Sequence, residues 1–323
     1  MNSKISDVSN ALGNAEELAA QYNRLKLLGA RFIQPEFADI NGYLRAKISG
    51  LEKGLSPSGS GISSILAAVI SGDTMALTPF SNFDNGFPKM VAVPDPATAV
   101  HWPWQPDMAA VLCDLIMESG EPRPVGPRPI PKKGIAHYEA LGITPKATLE
   151  YEFYIFQDDA ALLDQKRFSE LVPFGRTWDF YSVSRSPHFG DLARAFLGRM
   201  EDVGIDIDAF HTEYGHGMYE YAHGVADPLT AADAAVRGKL YFKQLCIEHG
   251  LFATYMAHPG IRPDNSSSGA HHNVSIWRDG TNLMWDGNGG LTQIARHFAA
   301  GVLKSLPDLH LIFRPWVNSY RRM

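Results

Sequence analysis

The chain has 323 residues, 45% of them hydrophobic and 20% charged, and a net charge of −6. That composition suits an ordinary globular protein of about two domains and excludes collagen, coiled coil and long disorder. The acidic balance, with no block of Lys and Arg, argues against a nucleic-acid partner. Two scattered cysteines, Cys113 and Cys246, fit a reducing, cytoplasmic setting. The most apolar short run, residues 62–70, is too short for a membrane span, and the first residues lack the apolar core of a signal peptide.

Along the chain, Glu16, Leu18, Tyr22, Leu25 and Leu28 recur at helical spacing, and Gly29 can close that helix. A strand follows over 30–34, which Pro35 predicts to lie at an edge or a bulge. Asn41-Gly42 between two apolar runs predicts a hairpin over 37–47. Residues 55–61 read as a loop, and 87–98 and 109–116 as strands. Residues 121–131 hold five prolines in eleven positions and read as a stiff linker. The division expected is an N-terminal domain over 1–120, this linker, and a second domain over 132–323. In the latter the predicted elements are a helix continuing through 137–141, a strand over 148–156, and helices over 192–203, 227–250 and 294–306. Pro228 opens the second of these three helices, Gly250 closes it, and Pro307 stops the last. Strands and helices interleave without a regular βαβ beat, so the fold class expected is α+β.

Eight of the twelve histidines lie between His188 and His272, and most of the notable carboxylates lie there or just before. Period two puts Leu149, Tyr151, Phe153 and Ile155 on one strand face and Glu150 and Glu152 on the other, Cα atoms about 7 Å apart. Two like charges so placed suit a divalent cation or a solvated face. Tyr154 and Phe156 continue the carboxylate face and speak against plain solvent. Glu213 and Glu220 flank a glycine-rich turn, Gly215 and Gly217, which could also be a surface loop. A Ser/Gly loop then leads into His271, with alternation aiming His271, Asn273 and Ser275 to one side. Four glutamates and one histidine, without thiols, describe a Mg²⁺ or Mn²⁺ site better than zinc.

In this order the segments resemble the glutamine synthetase superfamily, in particular its type I-like γ-glutamyl-amine ligase branch. Glu150-Tyr151-Glu152 resembles its Glu-x-Glu metal strand, and His211-Thr212-Glu213 with Gly217-Met218-Tyr219-Glu220 resembles its His-x-Glu…Gly-Gln-x-Glu segment. Ser268-Gly269-Ala270-His271 is similar to Gly-Ser-Gly-x-His, and Asn318-Ser319-Tyr320-Arg321-Arg322 to Asn-Ser-Tyr-Lys-Arg. The resemblance implies a β-grasp N-terminal domain and a catalytic domain around a curved antiparallel sheet. It implies ATP, Mg²⁺ (or Mn²⁺), L-glutamate, and ammonia or an organic amine, in a protein that assembles as a homo-oligomeric ring. By the same resemblance Glu152, Glu213 and Glu220 hold one metal, while Glu150 and His271 hold the second. Ser275 lies at the nucleotide, Ser268 and Gly269 border the substrate, and Arg322 acts on the glutamate carboxylate.

Departures from the pattern carry their own expectations. Ser58-Gly59-Ser60-Gly61 stands where the family has an aspartate that draws in ammonium, and Met218, His258 and Asn273 replace the family's Gln, Lys and His. These favour an organic amine over ammonia, or a non-catalytic structural relative. The chain stops at Met323, where family members continue, so a C-terminal truncation is expected. A metal hydrolase of another fold would need the ordered motifs to be coincidence.

Overall fold

The computed structural model describes residues 15–70, 74–118, 126–175, 180–260 and 266–322. The chain divides into two units, Met1–Gly134 with Glu201–Gly204, and Ile135–Met200 with Ile205–Met323.

The first unit opens on helix α1, Ala15–Leu27, with Glu16 and Glu17 in its first turn and Arg24 and Lys26 in its last, the arrangement its macrodipole favours. Strands β1 (Phe32–Ala38), β2 (Leu44–Ala46) and β3 (Ser49–Gly50) lead to a short helix α2 (Leu51–Gly54). Then come β4 (Ser60–Ser63), the small ribbon β5 (Val69–Ile70) and β6 (Thr74–Met75), β7 (Lys89–Pro94), β8 (Val100–His101) and β9 (Met108–Met117). The main sheet runs β2-β1-β9-β7-β4, antiparallel except for the β1–β9 pair, with β3 also on β1 and β8 also on β9. Leu18 and Leu25 of α1 join Ile33, Phe37, Met90, Val111 and Leu115 in one apolar core. Residues 60 and 61, read as loop from composition, begin β4.

The predicted hairpin is present, pairing Phe37 with Arg45, but its turn is wider than Asn-Gly alone would make. Asp39, almost fully buried, accepts the backbone N–H of Asn41 (2.8 Å) and Tyr43 (3.0 Å) and the Arg45 Nε–H (3.0 Å). One carboxylate therefore builds the loop. Pro35 is not on an edge strand, because β1 has β9 on one side and β2 and β3 on the other. The outer partner is split, however. β3 covers Phe32 and Ile33 and β2 covers Glu36 to Ala38, leaving Pro35 in the gap where a missing N–H costs no ladder bond.

Of the proline-rich run, residues 121–125 lie outside the described residues. Pro129 and Pro131 fall in the first turn of α3, Pro129–Ala140, where proline lacks only a bond the helix start would not make. Just before it, the buried Arg128 pairs with Asp95 (2.8 Å) and Asp114 (2.9 Å).

The second unit is built on β10, a 14-residue strand from Thr144 to Gln157. It continues through α4 (Ala160–Asp164), α5 (Ser186–Asp202), β11 (Ile207–Thr212), β12 (Met218–His223), α6 (Pro228–Glu248), β13 (Leu251–Thr254), β14 (Ala270–Arg278), β15 (Thr281–Asn282), α7 (Gln293–Ser305) and α8 (His310–Phe313). Asp227 caps α6 by accepting from Leu229 N and Thr230 N, with Pro228 next to it. The sheet runs β11-β12-β10-β14-β15, with β13 also on β10, all antiparallel. One face packs against α5 and α6 through an aromatic layer. Phe153 lies 4.8 Å from Phe242 and 5.4 Å from Tyr221, and Phe196 lies 4.9 Å from each of those two. Each such pair adds about 1 kcal/mol beyond its buried area. Among the described residues no helix is long and apolar enough to cross a membrane.

Replacing Asp39 by Ala removes three hydrogen bonds, one of them charge-assisted, from a buried loop. It should destabilise the chain by about 2–4 kcal/mol. Urea unfolding of both forms measures this, and an unchanged midpoint would deny Asp39 its organising role.

Candidate functional site

The sheet face turned away from the helices carries the carboxylates. In an antiparallel pair, residues directly opposite share a face. Register places Glu152 opposite Glu220, Glu220 opposite His211, and Glu150 opposite His271. Three adjacent pairings thus bring residues scattered over more than a hundred positions to one patch. Glu213 reaches it from the turn after β11, its backbone N–H held by Met218 O (2.9 Å). Gly217 in that turn has φ +75°, a left-handed conformation that a side chain resists, and a Cβ there would meet Ile155 O at 2.8 Å.

Donor atoms of Glu150, Glu220 and His271 lie within 4.8 Å of one another, and so do those of His211, Glu213 and Glu220. Glu220 is common to both sets and is buried. His271 Nδ1 lies 3.0 Å from Glu150 Oε2, and Asn273 donates to Glu150 Oε1 at 2.8 Å. Glu152 stands slightly apart. Its Oε2 accepts the Gly269 N–H at 2.7 Å, and its Oε1 lies 4.0 Å from His271 Nε2. A Cβ on residue 269 would come within 2.8 Å of Glu152 Oε1, so glycine here lets the backbone approach the carboxylate. His211, read from sequence only as part of a motif, joins the cluster with Nδ1 3.4 Å from Glu213 Oε1.

Tyr154 and Phe156, on the carboxylate face, are fully buried and pack with Leu171 and Met218 in a separate apolar cluster. That cluster closes the end of the face beyond Glu152, which is why two aromatics follow two glutamates in the alternation. Tyr154 also donates to Ser266 O (2.5 Å), pinning the loop before Ser268. Ser268 is buried, and its hydroxyl has no hydrogen-bond partner among the described residues. Ser275 accepts a hydrogen bond from Trp277 Nε1 (2.9 Å). Arg322 is half-buried just past a helical turn that Asn318 ties to His258 through N–H (2.8 Å) and O (2.8 Å). Burial first, then the charge of Arg314, push its guanidinium below the usual range, while Glu152 opposes the shift.

Tyr181 was not visible as a site residue in the sequence. Its ring stacks on His211 at 4.2 Å and its hydroxyl lies 3.2 Å from His211 Nε2. Desolvation first, then Glu213, Glu220 and Glu150, push its phenol upward. The one local signal is a strained backbone, φ +51°, which a sequence does not display.

Among the described residues no lysine or arginine is ion-paired with Glu150, Glu152, Glu213 or Glu220. Burial, followed by the charges of Glu213, Glu152 and Glu150, pushes the Glu220 carboxyl up to about 7. An oxygen-rich donor set that repels itself unless neutralised fits hard divalent cations.

These features stand beside the relatives of the chain. The glutamine synthetase catalytic-domain family matches residues 124–323. The chain is 32% identical over 290 residues to a glutamate–isopropylamine ligase of a Pseudomonas species, covering 88% of this chain and 63% of that one. It is 31% identical over 322 residues to type-1 glutamine synthetase 2 of Dictyostelium discoideum, covering 97% and 60%. A solved GmaS/ADP complex superposes with a TM-score of 0.78 at 25% identity, over 94% of this chain and 66% of that chain. The chain belongs to the glutamine synthetase family. It spans about three-fifths of the length of the curated relatives it matches.

A raised carboxyl makes folding favour the proton. Its contribution to stability is full below about pH 4.5 and is lost as pH rises through about 7. In a chelating buffer the melting temperature should therefore fall between about pH 5 and about pH 8. Glu220→Gln should flatten that slope, and an unchanged slope would assign it to another group.

Proposed function

We propose that this chain carries the phosphoryl-transfer face of an ATP-dependent ligase that activates L-glutamate and joins it to an amine. The observation that supports this best is the convergence of Glu150, Glu152, Glu213, Glu220 and His271 on one sheet face, with no lysine or arginine among the described residues ion-paired to these glutamates. Glu152, Glu213 and Glu220 would hold one Mg²⁺ or Mn²⁺, and Glu150 with His271 a second. Such cations neutralise phosphate charge and the charge of an attacking carboxylate.

The chain's own residues have definite tasks in this reading. Gly269 N–H holds Glu152, and Asn273 and His271 hold Glu150, so the donors are oriented before any ligand arrives. In this reading Arg322 attracts the substrate carboxylate, and Ser268 and Gly269 border the substrate. A γ-carboxylate oxygen of glutamate attacks the γ-phosphorus of ATP, and ADP leaves. The amine nitrogen then attacks the acyl carbon, phosphate leaves, and the nitrogen loses its proton. The mixed sheet of the first unit, with α1 packed on it, is in this reading the β-grasp module.

An organic amine is favoured as acceptor. Ser58, whose hydroxyl lies 2.7 Å from Ser56 Oγ, stands where an aspartate would draw ammonium. A relative of Streptomyces coelicolor, 28% identical, is a γ-glutamylethanolamide synthetase, as the Pseudomonas relative is an isopropylamine ligase.

Mn²⁺ should raise the melting temperature by several degrees, as a ligand bound only by the folded state does, and Glu152→Ala should remove the effect. A wild type indifferent to Mn²⁺ would sink the metal assignment. For the acceptor, phosphate release from Mg-ATP and glutamate should be faster with alkylamines or ethanolamine than with ammonium. A preference for ammonium would overturn the inference from Ser58.

A further inference from the structure

The first unit carries a cavity of about 530 Å³, lined from the end of α1, the start of β1 and the β3–α2 junction. Ala30 and Leu51 are its buried lining, while Tyr22, Lys26, Arg31, Lys53 and one acid, Glu52, complete its wall. Three cations thus face one carboxylate, in a chain whose net charge is −6. Among the described residues none of the three cations is ion-paired. Lys26 Nζ donates to the Tyr22 hydroxyl at 3.3 Å and lies 5.3 Å from its ring centroid. The Arg31 guanidinium lies 5.3 Å from the Phe32 ring centroid. Both contacts are weak at exposed positions.

The backbone beneath these side chains is fixed. Arg31 N–H donates to Asp107 O (2.9 Å), and Arg31 O accepts the Leu51 N–H (3.0 Å), which ties β1 to the start of α2. A Cβ on residue 54 would overlap Ile33 Cγ2, so glycine there lets α2 lie close on β1. Gly29, at φ +98°, turns the chain out of α1. The N–H groups of Leu28, Gly29 and Ala30 take the carbonyls of Arg24, Lys26 and Leu25, so the negative end of α1 is largely satisfied by its own chain.

We propose that this cavity binds a small polyanion bearing two or more phosphate or carboxylate groups, in a site built wholly from the first unit. Like charges gathered at one concave surface repel, and an anion removes that cost. Arg31 offers a fork matched to phosphate or carboxylate oxygens, the two lysines add point charges, and the Tyr22 hydroxyl is a further polar partner. One negative charge would leave the cavity cationic, so a divalent or higher anion fits it better. The volume lies in the range of small-molecule sites.

Calorimetric titration of the whole chain, in low salt and with protein and buffer stripped of metal on a chelating resin, tests the site with pyrophosphate and with citrate. Without a divalent cation the glutamates of the second unit repel both anions. The wild type should bind at least one of them, and the tighter identifies the head group. Arg31→Gln and Lys53→Gln should each weaken binding about five-fold, and Glu52→Gln should tighten it about three-fold. Lys89→Gln, at an exposed lysine of β7 outside the cavity lining, should leave the affinity unchanged. A wild type that binds neither anion would overturn the proposal. So would wild-type affinity in both Arg31→Gln and Lys53→Gln, or an equal loss in Lys89→Gln. Each of these results leaves the ligase reading where it stands, because the titration holds no metal and no substrate.

Discussion

Everything on the open face of the second unit follows from one electrostatic constraint. Glu150, Glu152, Glu213 and Glu220 are brought together with no lysine or arginine among the described residues ion-paired to any of them. Two carboxylates about 5 Å apart repel by roughly 3 kcal/mol at an effective dielectric near 20. The sheet register enforces the crowding, because Glu152 faces Glu220 and Glu220 faces His211 as fixed rungs of a ladder. Protonation of Glu220, or a bound cation, relieves it. In the proposed ligase, a cation that relieves this repulsion would also neutralise phosphate charge.

The strength to hold such a face comes from the other side of the same strands. Tyr151 and Phe153 alternate with the glutamates and meet Tyr221 of β12 and Phe242 of α6, which in turn packs on Phe196 of α5. Moving a carboxylate away from its neighbours would mean sliding β10 in its register, and a slip by one residue would expose the aromatic row. Buried aromatic area therefore opposes the repulsion. Tyr154, Phe156, Leu171 and Met218 finish the work by capping one end of the open face.

Much of this was legible in one dimension, and the failures have identifiable causes. The alternation in Leu149 to Phe156 assigned each residue to its face, since a strand's period is a local property. Pro35 suggested an edge, whereas its missing N–H falls in a gap between two short partners, which only the pairing reveals. Pro129 and Pro131 suggested linker but start a helix, because proline suits a first helical turn as well as an extended chain. Gly269 suggested room for a substrate, and in the folded chain its nearest neighbour is the Glu152 carboxylate. His211 was marked only as part of its motif and given no role, and Tyr181 carried no usable signal, since an isolated tyrosine is most often structural.

By itself the sequence determined the order of the elements, the two-faced character of β10, an oxygen-rich set of donor residues and the family to which that order belongs. These depend on residue type, spacing and period, all of them local. The tertiary structure alone decided that Glu220 is shared between the two donor sets, that Glu152 is held by the Gly269 amide, and that Tyr181 stacks on His211. Those facts depend on which strand lies beside which and in what register, and pairing between strands a hundred residues apart is set by the packing of the whole sheet.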